Sequence, residues 1–155
     1  MQSSPGEQVN YSNESFCLLG GLIEKLYQCS YSDAANRFVF QPLGMTRSAV
    51  LGAPNKLKNL AYPLLRKGKL FKTAKFWDAP LFHSAGGLIT SAPDMTKLIC
   101  VFSGNTKVVS AQAVSDMITN RFTIASRPLN PSSYGLGIEI KKLGRERMLL
   151  WHTGQ

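Results

Sequence analysis

Tyr134, Leu136, Ile138 and Ile140 alternate without interruption with Gly135, Gly137, Glu139 and Lys141, the two-residue period of a half-buried strand. After a Gly-containing turn over 143–147, the apolar run Met148-Leu149-Leu150-Trp151 predicts the neighbouring antiparallel strand. The other end of the chain has a different period. Phe16, Leu19, Ile23 and Tyr27 recur at helical spacing, and Cys17, Leu18, Leu22 and Leu26 widen that stripe. This predicts a largely buried helix that starts at Ser12 or Asn13, both good N-caps. A helical beginning and a hairpin at the end imply an α+β class. Two strands rarely make a stable sheet by themselves, so part of the sheet is expected to be missing.

Punctuation between these ends is legible. Ser32 is placed to cap a short helix over Asp33 to Phe40, which Pro42-Leu43-Gly44-Met45 then ends. Residues 46–80 hold several Pro and Gly and no sustained period, which reads as extended or looped connection. The segment from Ser84 to Thr90 is a tight bend around Gly86-Gly87, and Ser91-Ala92-Pro93-Asp94 is a capping-box variant with Pro in the first turn. Met95, Leu98, Ile99 and Phe102 form the expected buried stripe of that helix. A further helix starts near Ser110, buries Val114, Met117 and Ile118, and stops by Asn120.

At 155 residues and 44% apolar side chains, the chain suits one globular domain rather than a disordered or collagen-like one. No run of about 18 uncharged apolar residues offers a membrane span. The start, Met1-Gln2-Ser3-Ser4-Pro5-Gly6-Glu7, has no basic region followed by an apolar one, so no signal peptide is expected in this chain. Cys17, Cys29 and Cys100 cannot pair completely and have no CxxC spacing. Cys17 and Cys100, on predicted helices beside apolar neighbours, read as small hydrophobes, and Cys29 as partly exposed.

The formal charge of +9 is concentrated. Between Ala34 and Trp77 stand Arg37, Arg47, Lys56, Lys58, Arg66, Lys67, Lys69, Lys72 and Lys75, with no Asp or Glu. The rest of the chain is neutral. Tyr62, Phe71, Phe76 and Trp77 interleave with these cations, as base stacking would require. Leu57, Leu60, Leu64, Leu65 and Leu70 do so too, which reads as a chain alternating between core and solvent. No nucleic-acid module is recognisable, and no nucleic-acid partner is expected.

Two short motifs can carry chemistry. Tyr11-Ser12-Asn13 puts a phenol and an amide on an irregular segment before the first helix, and His152-Thr153-Gly154 closes the last strand. Each is weak alone. Their order is more informative: Pro5-Gly6, Tyr11-Ser12-Asn13, Leu18-Leu19-Gly20, Ile23-Glu24, Pro42-Leu43-Gly44-Met45, Ala85-Gly86-Gly87-Leu88, Ser91-Ala92-Pro93-Asp94-Met95, Tyr134-Gly135-Leu136-Gly137 and His152-Thr153-Gly154. From about Pro5 to Gln155, this series resembles the serine β-lactamase and penicillin-binding-protein superfamily, in the branch of class C β-lactamases, D-peptidases and esterases. The resemblance implies a β-lactamase/transpeptidase-like α+β fold truncated at both ends, with a helical part and an antiparallel hairpin of the main sheet. It implies one partial domain over 1–155.

That superfamily works with a Ser-x-x-Lys nucleophile, a Tyr-x-Asn or Ser-x-Asn element and a Lys-Thr-Gly strand. By resemblance, Tyr11 is the proton relay that helps to activate the serine. A phenol of pKa about 10 needs a neighbouring cation to act as a base at neutral pH, so Tyr11 depends on the motif lysine. Asn13 would hold that lysine and a substrate amide. His152 and Thr153 would face the substrate, Gly154 would let it approach, and the Gln155 backbone N–H would be one of two oxyanion donors.

Two departures qualify the resemblance. His152 stands where penicillin-recognising members have lysine, and a neutral imidazole offers a substrate carboxylate no permanent charge. Strong β-lactam turnover is therefore doubtful, which favours an esterase or peptidase relative. Moreover, none of the fifteen serines is followed three positions later by lysine. The nucleophile, its paired base and the second oxyanion donor are absent, so a fragment of a larger hydrolase, inactive alone, is expected. The alternative is a non-catalytic module of the same fold that binds a peptide or sugar-peptide.

The remaining candidates have plainer readings. His83-Ser84 lacks a Gly-x-Ser-x-Gly elbow, Gly86-Gly87 serves a backbone turn, and Trp151 belongs to the core. Two histidines 69 positions apart make a poor metal site, and neither metal nor cofactor is expected. The partner expected is a small-molecule or peptide substrate. The basic window borders the cleft in relatives, which implies weak contact with an anionic envelope surface. Relatives are often periplasmic or extracellular, but nothing in this chain gives the address.

Overall fold

A computed structural model describes residues 4, 7–52, 57, 59–75, 79–104, 108–119, 122–123, 132–144 and 147–153. The chain divides into two compact units, Ser12–Cys100 and a second made of Met1–Tyr11 with Val101–Gln155.

The larger unit opens with α1 (Asn13–Tyr27), whose N-cap Ser12 is extended and accepts the Ser15 N–H at 3.1 Å. Gln28, in the left-handed region, ends it. The helix is where its pattern put it, but not as buried. Leu18 is 76% exposed and Leu26 67%, with Leu19 and Leu22 also open. The buried residue is Gly20, where an added Cβ would lie 2.3 Å from Ser84 Oγ. α1 therefore meets the single-turn helix α3 (His83–Gly86) through its smallest side chain, and Ser84 Oγ donates to the Phe16 carbonyl at 3.0 Å.

α2 (Tyr31–Ala35) is capped by Ser30 rather than Ser32: the Ser30 hydroxyl accepts the Asp33 N–H at 3.1 Å and donates to the Asp33 carboxylate at 2.7 Å. Ser30 has the extended backbone a cap requires, whereas Ser32 is already helical. One wider turn, Asn36–Phe40, follows and closes with Gln41 N–H to the Asn36 carbonyl at 2.9 Å. It delivers Phe40 to a core with Met45 and Val50, flanked by Tyr31, Ala35, Val39, Leu43 and Leu98.

The stretch read as loop contains strands. β1 (Ala49–Val50) pairs antiparallel with β4 (Leu88–Ile89), and β2 (Leu64–Lys67) with β3 (Leu70–Thr73). The second pair has no alternating burial, since all eight residues are exposed, and so it left no period-two signal.

α4 (Ala92–Ile99) starts as its capping sequence predicts, with the Ser91 hydroxyl accepting the Asp94 N–H at 3.4 Å. The Asp94 side chain does not complete a reciprocal box. Its carboxylate accepts the Arg47 N–H at 2.7 Å, the Ser48 hydroxyl at 2.9 Å and Lys97 Nζ at 3.0 Å. Asp94 is 1% exposed, under a thin cover, because Arg47 itself is exposed. Ser48 Oγ also meets Thr90 Oγ1 at 2.7 Å, and Lys97 donates to the Gly44 carbonyl. This cluster ties the start of α4 to the strand pair β1–β4. Ile99, expected in the buried stripe, is exposed, as is Cys100 at the helix end; Cys17 and Cys29 are half-buried.

In the smaller unit, Ser110 caps α5 (Ala111–Ile118) by accepting the Ala113 N–H at 3.1 Å. A four-stranded antiparallel sheet follows in the order β5 (Phe122–Thr123), β6 (Ser133–Tyr134), β7 (Glu139–Lys142), β8 (Met148–Trp151). The expected β7–β8 hairpin is present, with Leu143 N–H to the Arg147 carbonyl at 2.8 Å across its turn. The alternation from Tyr134 to Lys141 is not one strand. The chain reverses between β6 and β7, Gly137 takes φ 74°, and Tyr134 pairs with Glu139. Glycine tolerates that φ without a Cβ penalty, so the residues that kept the period also broke the strand. Gly135 is as constrained: a Cβ there would fall 2.0 Å from the Met117 carbonyl oxygen, beside the bond from Leu136 N–H to that oxygen at 3.0 Å. Val114 and Ile140 are buried in this unit.

Candidate functional site

The sheet of the smaller unit sets three aromatic side chains near one end. Register pairs Tyr134 of β6 with Glu139 of β7, and Glu139 with Trp151 of β8. His152 follows directly, just past the strand. Its Nε2 lies 3.3 Å from the Tyr134 hydroxyl, and its ring centroid lies 5.7 Å from that of Tyr11, the planes tilted by 52°. Tyr11 and His152, 141 positions apart in sequence, are thus brought together.

Hydrogen bonding fixes the imidazole's tautomer. His152 Nδ1 lies 2.6 Å from the Thr153 carbonyl oxygen, which can only accept, so Nδ1 carries the proton. In the neutral ring Nε2 is then an acceptor, and the Tyr134 hydroxyl donates to it. Burial pushes the Tyr134 phenol above its ordinary 10.0, and the Tyr11 and Glu139 charges add to the effect. Tyr134 therefore keeps its proton at neutral pH. The result is a phenol-to-imidazole bond at an exposed histidine, with Tyr11 half exposed beside it.

Of the residues singled out from sequence, Tyr11 and His152 meet here, and Thr153 contributes its carbonyl. Asn13 opens α1 with its side chain exposed. Gly154 and Gln155, and with them the expected oxyanion N–H, lie outside the described residues. Tyr134 was missed as a site residue. Its signal is its place in Tyr134-Gly135-Leu136-Gly137, one of the ordered motifs of the resemblance, to which the sequence assigns a strand and no site role. Ser84 is held by the Phe16 carbonyl, which leaves no reason to pair it with His83. An open depression of about 480 Å³ in the larger unit is lined by Cys17, Glu24, Tyr31, His83 and Ser84 among others, but Glu24 already accepts the Tyr31 N–H at 2.8 Å.

The beta-lactamase family profile matches residues 1–155. The chain belongs to the beta-lactamase family. Solved structures agree with that membership. The octameric penicillin-binding protein homologue from Pyrococcus abyssi superposes with a TM-score of 0.81 at 26% identity, over 99% of this chain and 34% of that one. The D-stereospecific amidohydrolase from Streptomyces sp. gives 0.76 at 24% identity, over 99% and 45%. A class C beta-lactamase gives 0.66 at 22% identity, over 88% and 36%. At such identities the last two show the fold alone. This beta-lactamase family chain therefore spans between a third and half the length of these structures. No curated protein matches it. The expected β-lactamase/transpeptidase-like α+β fold is the one present.

Proposed function

We propose that this beta-lactamase family chain forms one partial domain of a serine hydrolase that cleaves an ester, amide or β-lactam through an acyl-serine intermediate. The meeting of Tyr11 with His152 at the end of β8 supports the reading, because a relay phenol would have to stand beside the strand that faces substrate. In this reading serine Oγ attacks the substrate carbonyl carbon while its proton passes to the Tyr11 and lysine pair. That pair returns the proton to the departing amine or alcohol, and water then hydrolyses the acyl-serine. Asn13 holds the lysine and a substrate amide, His152, Thr153 and Gly154 line the strand side, and the Gln155 N–H supports the oxyanion.

The serine and lysine must come from a Ser-x-x-Lys, which these 155 residues lack, so the chain by itself is inactive. The same lack favours a second reading, a module that binds a peptide or sugar-peptide without cleaving it. A fluorophosphonate probe separates them. The chain alone takes no label, and a longer product of the same gene carrying Ser-x-x-Lys before Tyr11 labels on that serine. Label on the 155-residue chain would overturn the inactivity; a complete gene product without the motif supports the binding module.

A further inference from the structure

The β2–β3 hairpin is apolar and cationic on both faces. Leu64, Leu65, Leu70 and Phe71 are between 61 and 67% exposed, and Tyr62 just ahead of β2 is 60% exposed. The register Leu64 to Thr73, Leu65 to Lys72, Arg66 to Phe71 and Lys67 to Leu70 fixes which side chains share a face. One face carries Leu64, Arg66, Phe71 and Thr73, the other Leu65, Lys67, Leu70 and Lys72. A two-residue loop, Gly68-Lys69, closes the ribbon, with Gly68 at φ 64° as the first central residue of a primed turn. Lys75 follows β3, and no carboxylate lies between Ala34 and Trp77 in sequence to offset these charges.

A two-stranded ribbon whose residues are all exposed is marginal in water, and large apolar side chains exposed together mark a contact surface. The complementary partner must be anionic and must also accept aliphatic side chains. Single-stranded nucleic acid meets the first condition, but it is held by stacking on aromatic rings, and three of the four large apolar groups on the strands are leucines. An anionic bilayer meets both. We propose that the β2–β3 hairpin docks the protein on an anionic lipid surface. Leu64, Leu65, Leu70 and Phe71 enter the headgroup boundary, and Arg66, Lys67, Lys69 and Lys72 meet lipid phosphates. Long alkyl stems let the cationic ends stay at phosphate level while the apolar groups go deeper.

Co-sedimentation of the purified chain tests this, using phosphatidylcholine vesicles with and without an equal part of phosphatidylglycerol. Binding is expected only with phosphatidylglycerol. Each cation near an anionic surface contributes about fivefold, so Lys67→Glu, Lys69→Glu and Lys72→Glu together should weaken binding by more than about 100-fold. Leu70→Ser with Phe71→Ser, which keeps every charge, should weaken binding to the phosphatidylglycerol vesicles and leave its salt dependence in place. These exposed positions leave the cores untouched, and circular dichroism checks that the variants stay folded. Phe71→Trp, with every charge retained, should add emission that shifts to the blue on anionic vesicles; this decides the matter should a variant misfold. Equal binding to both vesicle types, no binding to either, or unmoved Phe71→Trp emission overturns the proposal. So does binding of oligo(dT) with the vesicles ignored, which would make the hairpin a nucleic-acid site. Self-association abolished by Leu70→Ser with Phe71→Ser would make it a subunit interface, and also overturns it.

Discussion

The Tyr134 hydroxyl lies 3.3 Å from His152 Nε2, joining the first half of one hairpin to the residue just past the end of the next. Because the Thr153 carbonyl takes the Nδ1 proton, this phenol is what the outward nitrogen of the imidazole meets. Tyr134→Phe removes the donor, and a net hydrogen bond of about 1 kcal/mol corresponds to about a fivefold change in the His152 tautomer ratio. Nitrogen-15 NMR of the imidazole reads that ratio. An unchanged ratio would mean that Thr153 alone sets the tautomer.

The same phenol gives stability an alkaline limb. Its folded pKa is raised above 10.0 by burial first and by the Tyr11 and Glu139 charges second, so the folded state holds the proton longer than the unfolded chain. The Tyr134 contribution is complete below about pH 10 and is lost as pH rises beyond it. Urea titrations between neutral and alkaline pH should show a steeper loss in the wild type than in Tyr134→Phe. Parallel curves would refute this.

His152→Lys tests whether position 152 faces substrate. An exposed ammonium paired with a carboxylate is worth up to about 1 kcal/mol, so a β-lactam bearing a free carboxylate should bind about fivefold more tightly. NMR titration measures the change. No gain would remove position 152 from the substrate side.

Asp94 should stabilise the larger unit. Burial alone would raise its carboxyl, but the hydrogen bonds from Lys97, the Arg47 N–H and Ser48, with the Lys97 charge, outweigh it and leave the pKa below 3.8. A depressed folded pKa stabilises above the unfolded value and loses that contribution as pH falls through the folded one. Asp94→Ala strands several donors and should cost about 2 to 3 kcal/mol at neutral pH. Asp94→Asn should converge with the wild type as pH falls through the lowered folded pKa of the carboxyl. Denaturant midpoints across pH provide the comparison, and a constant difference would contradict the assignment.

Two glycines should respond oppositely to alanine. At Gly135 the new Cβ would meet the Met117 carbonyl oxygen at 2.0 Å, so the turn against α5 must open, at a cost of about 3 kcal/mol or more. At Gly21, inside α1, nothing stands within 4 Å of the new Cβ, and helix propensity predicts a gain approaching about 1 kcal/mol. Thermal melts of both variants distinguish a real steric limit from a general dislike of substitution.

The sequence by itself determined what is local or repeated along the chain. The caps at Ser91 and Ser110, a first cap at Ser12 or Asn13, the helical stripe of α1 and the β7–β8 hairpin rest on neighbours within a few residues, and the family resemblance rests on the order of short motifs along the chain. Tertiary structure decided what depends on distant partners. It turned the Tyr134 alternation into a hairpin, because a two-residue period records which side chains alternate but not whether Gly137 reverses the chain. It left the α1 leucines open, because a stripe shows apolar character and not what covers it; contact through Gly20 carries no hydrophobic signal at all. It drew Asp94 to Arg47 and Ser48, and Tyr11 to His152, across separations that no local pattern encodes. The nine-cation window changes meaning in the same way: four of its charges sit with exposed leucines on one two-stranded ribbon, and only strand pairing put them there.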